Sequence, residues 1–132
     1  MTLFQTSPLC RLHIFWLAAL VVLAGCGDQG ARGLKLDKAV ARDSLIACLD
    51  SWKQGKQQAD MKQHAPPIIA KDGQWETGHK LSKYNILDKD TDDGTNARIE
   101  VELFVIDKQG RASQNTASYF VGTSPVITVF RE

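Results

Sequence analysis

The segment ARIEVELFVI, residues 97–106, decides the fold of this chain because its apolar residues recur at every second position. A period of two is typical of a β-strand, whose side chains point alternately to the two faces of a sheet. One face of this segment is apolar throughout, whereas the other carries Arg98, Glu100 and Glu102. The segment therefore predicts a strand with one buried face.

Weaker strand patterns lie on both sides of this segment. After a DKQG turn, residues 112–121 and 126–130 predict two further strands. On the N-terminal side, residues 80–87 predict another strand, and residues 68–69 with Trp75 are expected either to add a short strand or to cover a helix. Short connections between these segments favour an antiparallel meander of about four strands.

In the segment DKAVARDSLIACLDSWKQG, residues 37–55, the apolar residues recur with the period of an α-helix. Asp37 is a suitable N-cap, and Gly55 is a suitable residue to follow the last turn. A second, weaker helical turn is predicted at residues 57–63, before two prolines that stop it. The apolar stripe of the longer helix consists of Ala41, Leu45, Cys48, Leu49 and Trp52.

One helix followed by a twisted antiparallel sheet predicts the α+β class, with the amphipathic helix packed on a curled sheet. This order of elements over residues 36–132 resembles the nuclear transport factor two-like and cystatin-like folds. The resemblance implies a cone-shaped sheet around the helix and, as in the isomerase and cyclase relatives, an acid or base inside the cavity. A compact sandwich with one packed helix is the alternative. The polar residues available for such a pocket are Asp43, Tyr84 and Tyr119.

The strongest signal lies at the N-terminus. Residues 14–24, IFWLAALVVLA, are an unbroken apolar run of eleven that follows Arg11. A helix that spans a membrane needs about 20 apolar residues, whereas the hydrophobic region of a signal peptide needs about 7 to 15. The run ends in Leu23 and Ala24, which Gly25 and Cys26 follow. These four residues resemble the lipobox of bacterial lipoproteins.

The lipobox resemblance implies a lipid anchor. Leu23, Ala24 and Gly25 would be recognised by the lipoprotein signal peptidase, and the thiol of Cys26 would carry the acyl chains. Two or three chains hold a protein stably on a membrane. In lipoproteins of bacteria with two membranes, an aspartate directly after the cysteine tends to retain the protein in the inner membrane. Gly27 occupies that position, which slightly favours the outer membrane.

The same resemblance divides the chain into three parts. Residues 1–25 are predicted to be a signal peptide, residues 26–35 an acylated cysteine with a flexible tether, and residues 36–132 a single domain. The predicted location is the cell envelope, on the periplasmic side of a membrane. After removal of the signal peptide, fifteen basic and fifteen acidic side chains remain without any basic run. This balance argues against nucleic acid as a partner.

The acidic segment DKDTDDG, residues 88–94, allows two interpretations. Asp88, Asp90 and Asp92 could converge on a calcium ion. An EF-hand that starts at Asp88 would require glycine where Asp93 stands and glutamate at position 99, where isoleucine stands. A solvated turn between two strands is therefore the favoured interpretation, with a weak metal site as the alternative.

The remaining reactive side chains indicate no catalytic set. His64 and His79 lack a metal-ligand spacing, and Cys48 lies on the apolar stripe, which predicts a buried and inert thiol. Trp52 and Trp75 are expected in the core, with a groove lined by them as the alternative. No cofactor and no enzymatic activity are predicted.

These observations predict a non-catalytic binding or scaffolding domain on a lipid anchor. Its expected contact with an envelope protein is a sheet edge formed by the last strand, residues 124–131, whose composition suits pairing with a partner strand. The alternative function is a small-molecule carrier or a weak isomerase-like enzyme with a pocket between helix and sheet.

Overall fold

Helix α1, Lys38–Lys53, is the first element of the computed structural model, which describes residues 35–132. Asp37 is confirmed as its N-cap, because the Asp37 side chain accepts a hydrogen bond of 3.1 Å from the backbone N–H of Val40. Gly55 follows the last turn with a φ of +82°, a left-handed conformation that favours glycine. The predicted signal peptide and lipobox lie outside the described residues.

The elements that follow α1 are short until the chain reaches the two long strands. A 3₁₀ helix, Gln58–Gln63, takes the place of the predicted weak helical turn. The strands and the second helix are β1 (Ile68–Lys71), α2 (Gly73–Glu76), β2 (Lys80–Ile86), β3 (Thr91–Asp92), β4 (Asn96–Ile106), β5 (Ala112–Gly122) and β6 (Ile127–Arg131).

The architecture is α+β, as predicted, with one helix against a curled half-barrel sheet. The expected antiparallel sheet of about four strands is wrong. Six strands are present in the described residues, in the order β1-β6-β5-β4-β2 with β3 beside β4, and β1 pairs with β6 in parallel. The parallel pair joins Ile68 to Ile127, and so remote a pairing leaves no trace in a local apolar period.

The last strand is not an edge, which corrects the predicted contact surface at residues 124–131. Strand β6 pairs with β1 on one side and with antiparallel β5 on the other. Its backbone groups are therefore committed to the sheet and cannot accept a partner strand. The ends of the strand order are β1 and β2, and β2 presents Lys80 and Lys83, whose charges oppose pairing with another chain.

The core lies between the apolar stripe of α1 and the concave face of the sheet. All five residues of the predicted stripe are buried, and the predicted face of β4 is buried along its whole length. Within residues 35–132, no helix is both long and apolar enough to cross a membrane. The largest fully buried side chains are Leu45, Leu49, Ile68, Ile99, Leu103, Val101, Val105, Val121 and Val129.

Replacement of Leu45 by alanine tests this packing. Leu45 is completely buried, so Leu45→Ala should lower the free energy of unfolding by about 2 to 5 kcal/mol through lost burial and a residual cavity. Asp43→Ala on the exposed side of the same helix should change it by less than about 0.5 kcal/mol. Urea unfolding followed by circular dichroism measures both. Similar losses in the two variants would contradict the placement of α1.

Candidate functional site

The three polar residues predicted to share a pocket do not come together. Asp43 is exposed on α1, which corrects its expected position inside the fold, because the helix turns its apolar stripe to the sheet and this carboxylate to solvent. The Tyr84 hydroxyl donates a hydrogen bond of 2.7 Å to Asp50, and the Tyr119 hydroxyl donates one of 2.5 Å to Asp72. The two tyrosines therefore bind different carboxylates and do not share a site.

The space between α1 and the sheet is filled. The cavity that borders Cys48, Leu49 and Tyr119 has a volume of about 10 Å³, which is no more than a single water molecule requires. The Cys48 thiol is buried, as expected, and burial raises its pKa to about 12. A thiol that stays protonated at neutral pH is a poor nucleophile. The described fold thus offers no enclosed pocket at the place where the sequence suggested one.

A cluster of polar side chains borders this filled core and consists of Asp72, Gln74, Tyr119 and Arg131. Asp72 is the N-cap of α2, and its carboxylate accepts hydrogen bonds from the backbone N–H groups of Gln74 and Trp75 as well as from Tyr119. Arg131 lies 3.4 Å from the same carboxylate and donates a hydrogen bond of 2.5 Å to the Gln74 side chain. These contacts hold α2 against the sheet.

Sequence reasoning missed this cluster. Asp72 directly precedes the GQWE segment that forms α2, so its capping role had a local signal. Its contact with Tyr119 joins residues 47 positions apart, and no local pattern encodes such a pair. Burial raises the pKa of Tyr119 far above its usual value, and the nearby Asp72 carboxylate raises it further.

The acidic loop is held by cations of α1. Arg42 lies 3.1 Å from Asp90 and 3.7 Å from Asp88, and Lys38 lies 2.5 Å from Asp92. The loop includes β3, so it is more ordered than the predicted turn. Asp88 and Asp90 share Arg42, whereas Asp92 contacts Lys38. Residues 35–132 contain no group of three or more acidic, histidine or cysteine side chains placed to hold a metal ion.

An open concave surface of the described domain lies over two stacked indole rings. Trp52 and Trp75 have ring centroids 5.7 Å apart and planes inclined by 13°. The Trp52 indole N–H donates to the backbone carbonyl of His79, and that of Trp75 donates to the carbonyl of Lys56. These bonds join the segment after α1 to the segment before β2. An open groove of about 580 Å³ lies between the two segments.

The groove has an apolar floor and a polar rim. Trp52 and Trp75 are core residues, as expected, and only 3% and 7% of their surfaces remain exposed at the floor. The residues that surround this floor are mostly polar and include charges of both signs. The rim includes Lys56, Gln57, Gln58, Glu76, His79 and Lys80. Of the two histidines within residues 35–132, His79 is therefore at the groove, whereas the His64 ring forms a hydrogen bond with the carbonyl of Pro66.

The groove lies at the end of α1 that is remote from the N-terminus of the domain. At the near end, the backbone N–H of Leu36 donates to the carbonyl of Gly94, and that of Asp37 donates to the Thr123 hydroxyl. Helix α1 has 16 residues, which separates its ends by about 24 Å. We call the near end, with residues 93–95 and 123–126, the tether end.

Comparison of the chain with protein-family models, with curated proteins and with solved structures gives no match. The geometry of residues 35–132 and the sequence before them therefore carry the functional argument.

Titration of tyrosine tests the buried cluster. The chain has two tyrosines, so Tyr84→Phe leaves Tyr119 alone to be followed by absorbance at 295 nm. Because the folded-state pKa of Tyr119 lies above the unfolded value of about 10, its stabilising contribution is complete below that pH and is lost as the pH rises further. Tyr119 should therefore ionise only as the protein unfolds.

The reciprocal variant Tyr119→Phe is the control. It leaves Tyr84, whose pKa is raised to about 12 by burial and by its hydrogen bond to Asp50. This residue should ionise near that pH. Ionisation of Tyr119 near pH 10 in a chain that still shows folded circular dichroism would contradict the buried Asp72–Tyr119 contact.

Proposed function

We propose that this chain is a lipid-anchored protein of the cell envelope whose domain, residues 36–132, binds a partner and does not catalyse a reaction. The sequence Leu23-Ala24-Gly25-Cys26, directly after an apolar run of signal-peptide length, carries the proposal. Acylation of Cys26 would place the domain on the periplasmic side of a membrane. Gly27 slightly favours the outer membrane. The likeness of the half-barrel to nuclear transport factor two-like and cystatin-like folds belongs to the same proposal.

The tether defines which end of the domain is near the membrane. Lys35 is nine positions after Cys26, and such a segment spans at most about 30 Å when fully extended. Leu36 and Asp37 bond the loops of the tether end. The tether end is therefore the part of the domain closest to the anchor, and the groove lies beyond it on the side of the periplasm.

The groove is the proposed contact surface, in place of the sheet edge. Its floor is formed by two nearly buried indoles, and its rim supplies donors and acceptors for a polar backbone. Lys56 and Lys80 face solvent at this rim beside Glu76, so a segment with charges of both signs could pair with it. An extended, polar segment of an envelope protein fits this chemistry.

The alternative function, a carrier or a weak isomerase-like enzyme, has less support. It requires a closed pocket between α1 and the sheet with Asp43 or Tyr119 aimed into it. Asp43 is exposed, and Tyr119 borders a cavity of about 10 Å³. A substrate in that place would have to displace core side chains, which costs several kcal/mol.

Substitution of cysteines in the precursor tests the anchor. Cys26→Ser should abolish processing and acylation, because only this thiol follows the lipobox residues. Cys10→Ser is the matched control and should be processed normally, because Cys10 lies in the segment that is removed. Intact mass of protein extracted from membranes measures both. A mature wild-type chain without acyl chains would overturn the anchor.

Photo-crosslinking in cells tests the groove. A benzoylphenylalanine in place of Lys80, at the rim, should form adducts with an envelope partner because the groove seats that partner. Lys83 on the same strand is the control, since its ammonium lies over the Phe104 ring, 5.3 Å from the ring centroid, and outside the groove lining. The control position should give no adduct. Equal adducts at both positions, or adducts at Lys83 alone, would contradict the groove as contact surface.

A further inference from the structure

The large apolar side chains that the described domain leaves exposed share one region of its surface. They are Ile69, Phe120, Val126 and Phe130, with between 37% and 45% of each residue exposed. We call this set the outer apolar face. Scattered single apolar residues are common on protein surfaces, but a contiguous patch indicates a contact surface.

Strand pairing places the two aromatic members of this face side by side. Phe120 on β5 is directly opposite Phe130 on β6, and both lie on the convex side of the sheet, away from α1. The same row continues to Arg98 on β4 and to Lys71 on β1, which are the next cross-strand partners. The row therefore reads cation, aromatic, aromatic, cation across four strands.

The other two members lie nearer the tether end. Ile69 is opposite Thr128, one step along the sheet from the aromatic row, and Val126 directly precedes β6. Phe120 is two residues before Gly122, about 7 Å along the strand, and residues 123–126 belong to the tether end. The outer apolar face thus extends to the end of the domain from which the tether leaves.

The charges around this face are paired with each other. The guanidinium group of Arg98 packs over the Phe120 ring, 5.7 Å from its centroid, and bonds the Glu132 carboxylate at 2.6 Å. The Lys71 ammonium lies 3.9 Å from Glu76. Phenylalanine rings beside lysine and arginine occur on protein surfaces that lie in a membrane interface, where the long basic side chains follow the apolar surface. With each cation paired, attraction to anionic headgroups is small.

We propose that the outer apolar face docks on the lipid surface that holds the acyl chains of Cys26, so that the domain lies against its own membrane. This inference rests on the proposed anchor. The tether ends at the margin of this face and is short enough to keep it at the membrane, where a linker of this length gives an effective concentration in the millimolar range. With the anchor in place, the four partly exposed side chains of this face suffice to keep the domain on the lipid surface. Without the anchor, they would bind the membrane only weakly.

The docked orientation has a consequence for the groove. The outer apolar face would meet the lipid, while the groove at the far end of α1 would stay in the aqueous phase. The membrane surface would therefore restrict the directions from which a partner can approach.

Depth measurement with a fluorescent probe tests the docking. The acylated full-length mature protein is labelled with nitrobenzoxadiazole at Val126→Cys and placed in vesicles of phosphatidylethanolamine and phosphatidylglycerol that contain nitroxide lipids. Cys48 is buried and does not compete for the label. The emission should fall to less than about half, and raising the salt from about 50 to about 500 mM should leave that quenching unchanged, because the contact is apolar.

Asp43→Cys is the matched control, since it lies at the same end of the domain on the exposed side of α1. This label should show little quenching. In the Val126→Cys protein, the added pair Phe120→Ser and Phe130→Ser should reduce quenching to the control level. Both phenylalanines are exposed, so circular dichroism should show an unchanged fold.

The outcomes separate the two proposals. Equal quenching at the two labels in an acylated protein that floats with the vesicles overturns the docking and leaves the anchor intact. Concentration-dependent disulfide formation between copies of the unlabelled Val126→Cys protein, with copper phenanthroline as the oxidant, together with no quenching of the labelled protein, also overturns it, because the face would then join two chains. A wild-type chain without acyl chains overturns both the anchor and the docking that rests on it.

Discussion

The apolar stripe of α1 must be covered by one face of one sheet, and every other feature of the described domain depends on this burial. The domain contains one cysteine, which is buried, so no disulfide within residues 35–132 supports the fold. Stability must then come from packing. Burying a large aliphatic side chain contributes about 1.5 to 3 kcal/mol, and several such residues meet at the concave face of the half-barrel.

Dense packing at this interface explains why the interior is closed to ligands. Where α1 meets β5 and β6, Tyr119 and Asp72 fill the remaining space and satisfy one another. A buried carboxylate requires several hydrogen bonds, and Asp72 obtains them from α2 and Tyr119, with Arg131 nearby. These contacts stabilise the segment that carries Trp75. The groove over the two indoles is thus a surface feature supported by the polar cluster beneath it.

The two ends of α1 have different surroundings, and this difference links the fold to the proposed function. The N-terminal half of α1 contacts the acidic loop through Lys38 and Arg42, and the predicted tether precedes this end in the chain. The C-terminal end leads into the groove. With the proposed anchor on Cys26 and the proposed partner in the groove, a domain built in this way would separate the two contact surfaces.

The sequence by itself determined the features that depend on local periodicity and local chemistry. The period of residues 97–106, the cap at Asp37, the turn at Gly55 and the buried Cys48 could all be predicted, because each depends on neighbours in the chain. The predicted lipobox is a local motif too, and it lies outside the described residues.

The tertiary structure alone decided which distant segments meet. It placed β1 in parallel beside β6, which removed the expected sheet edge, and it brought Asp72 to Tyr119 and Trp75 to Trp52. It also left Asp43 exposed to solvent, because the sheet covers only the face of α1 that carries the apolar stripe. Such contacts follow from how the whole chain fills one core, and the alternation of apolar residues within a single segment carries no information about them.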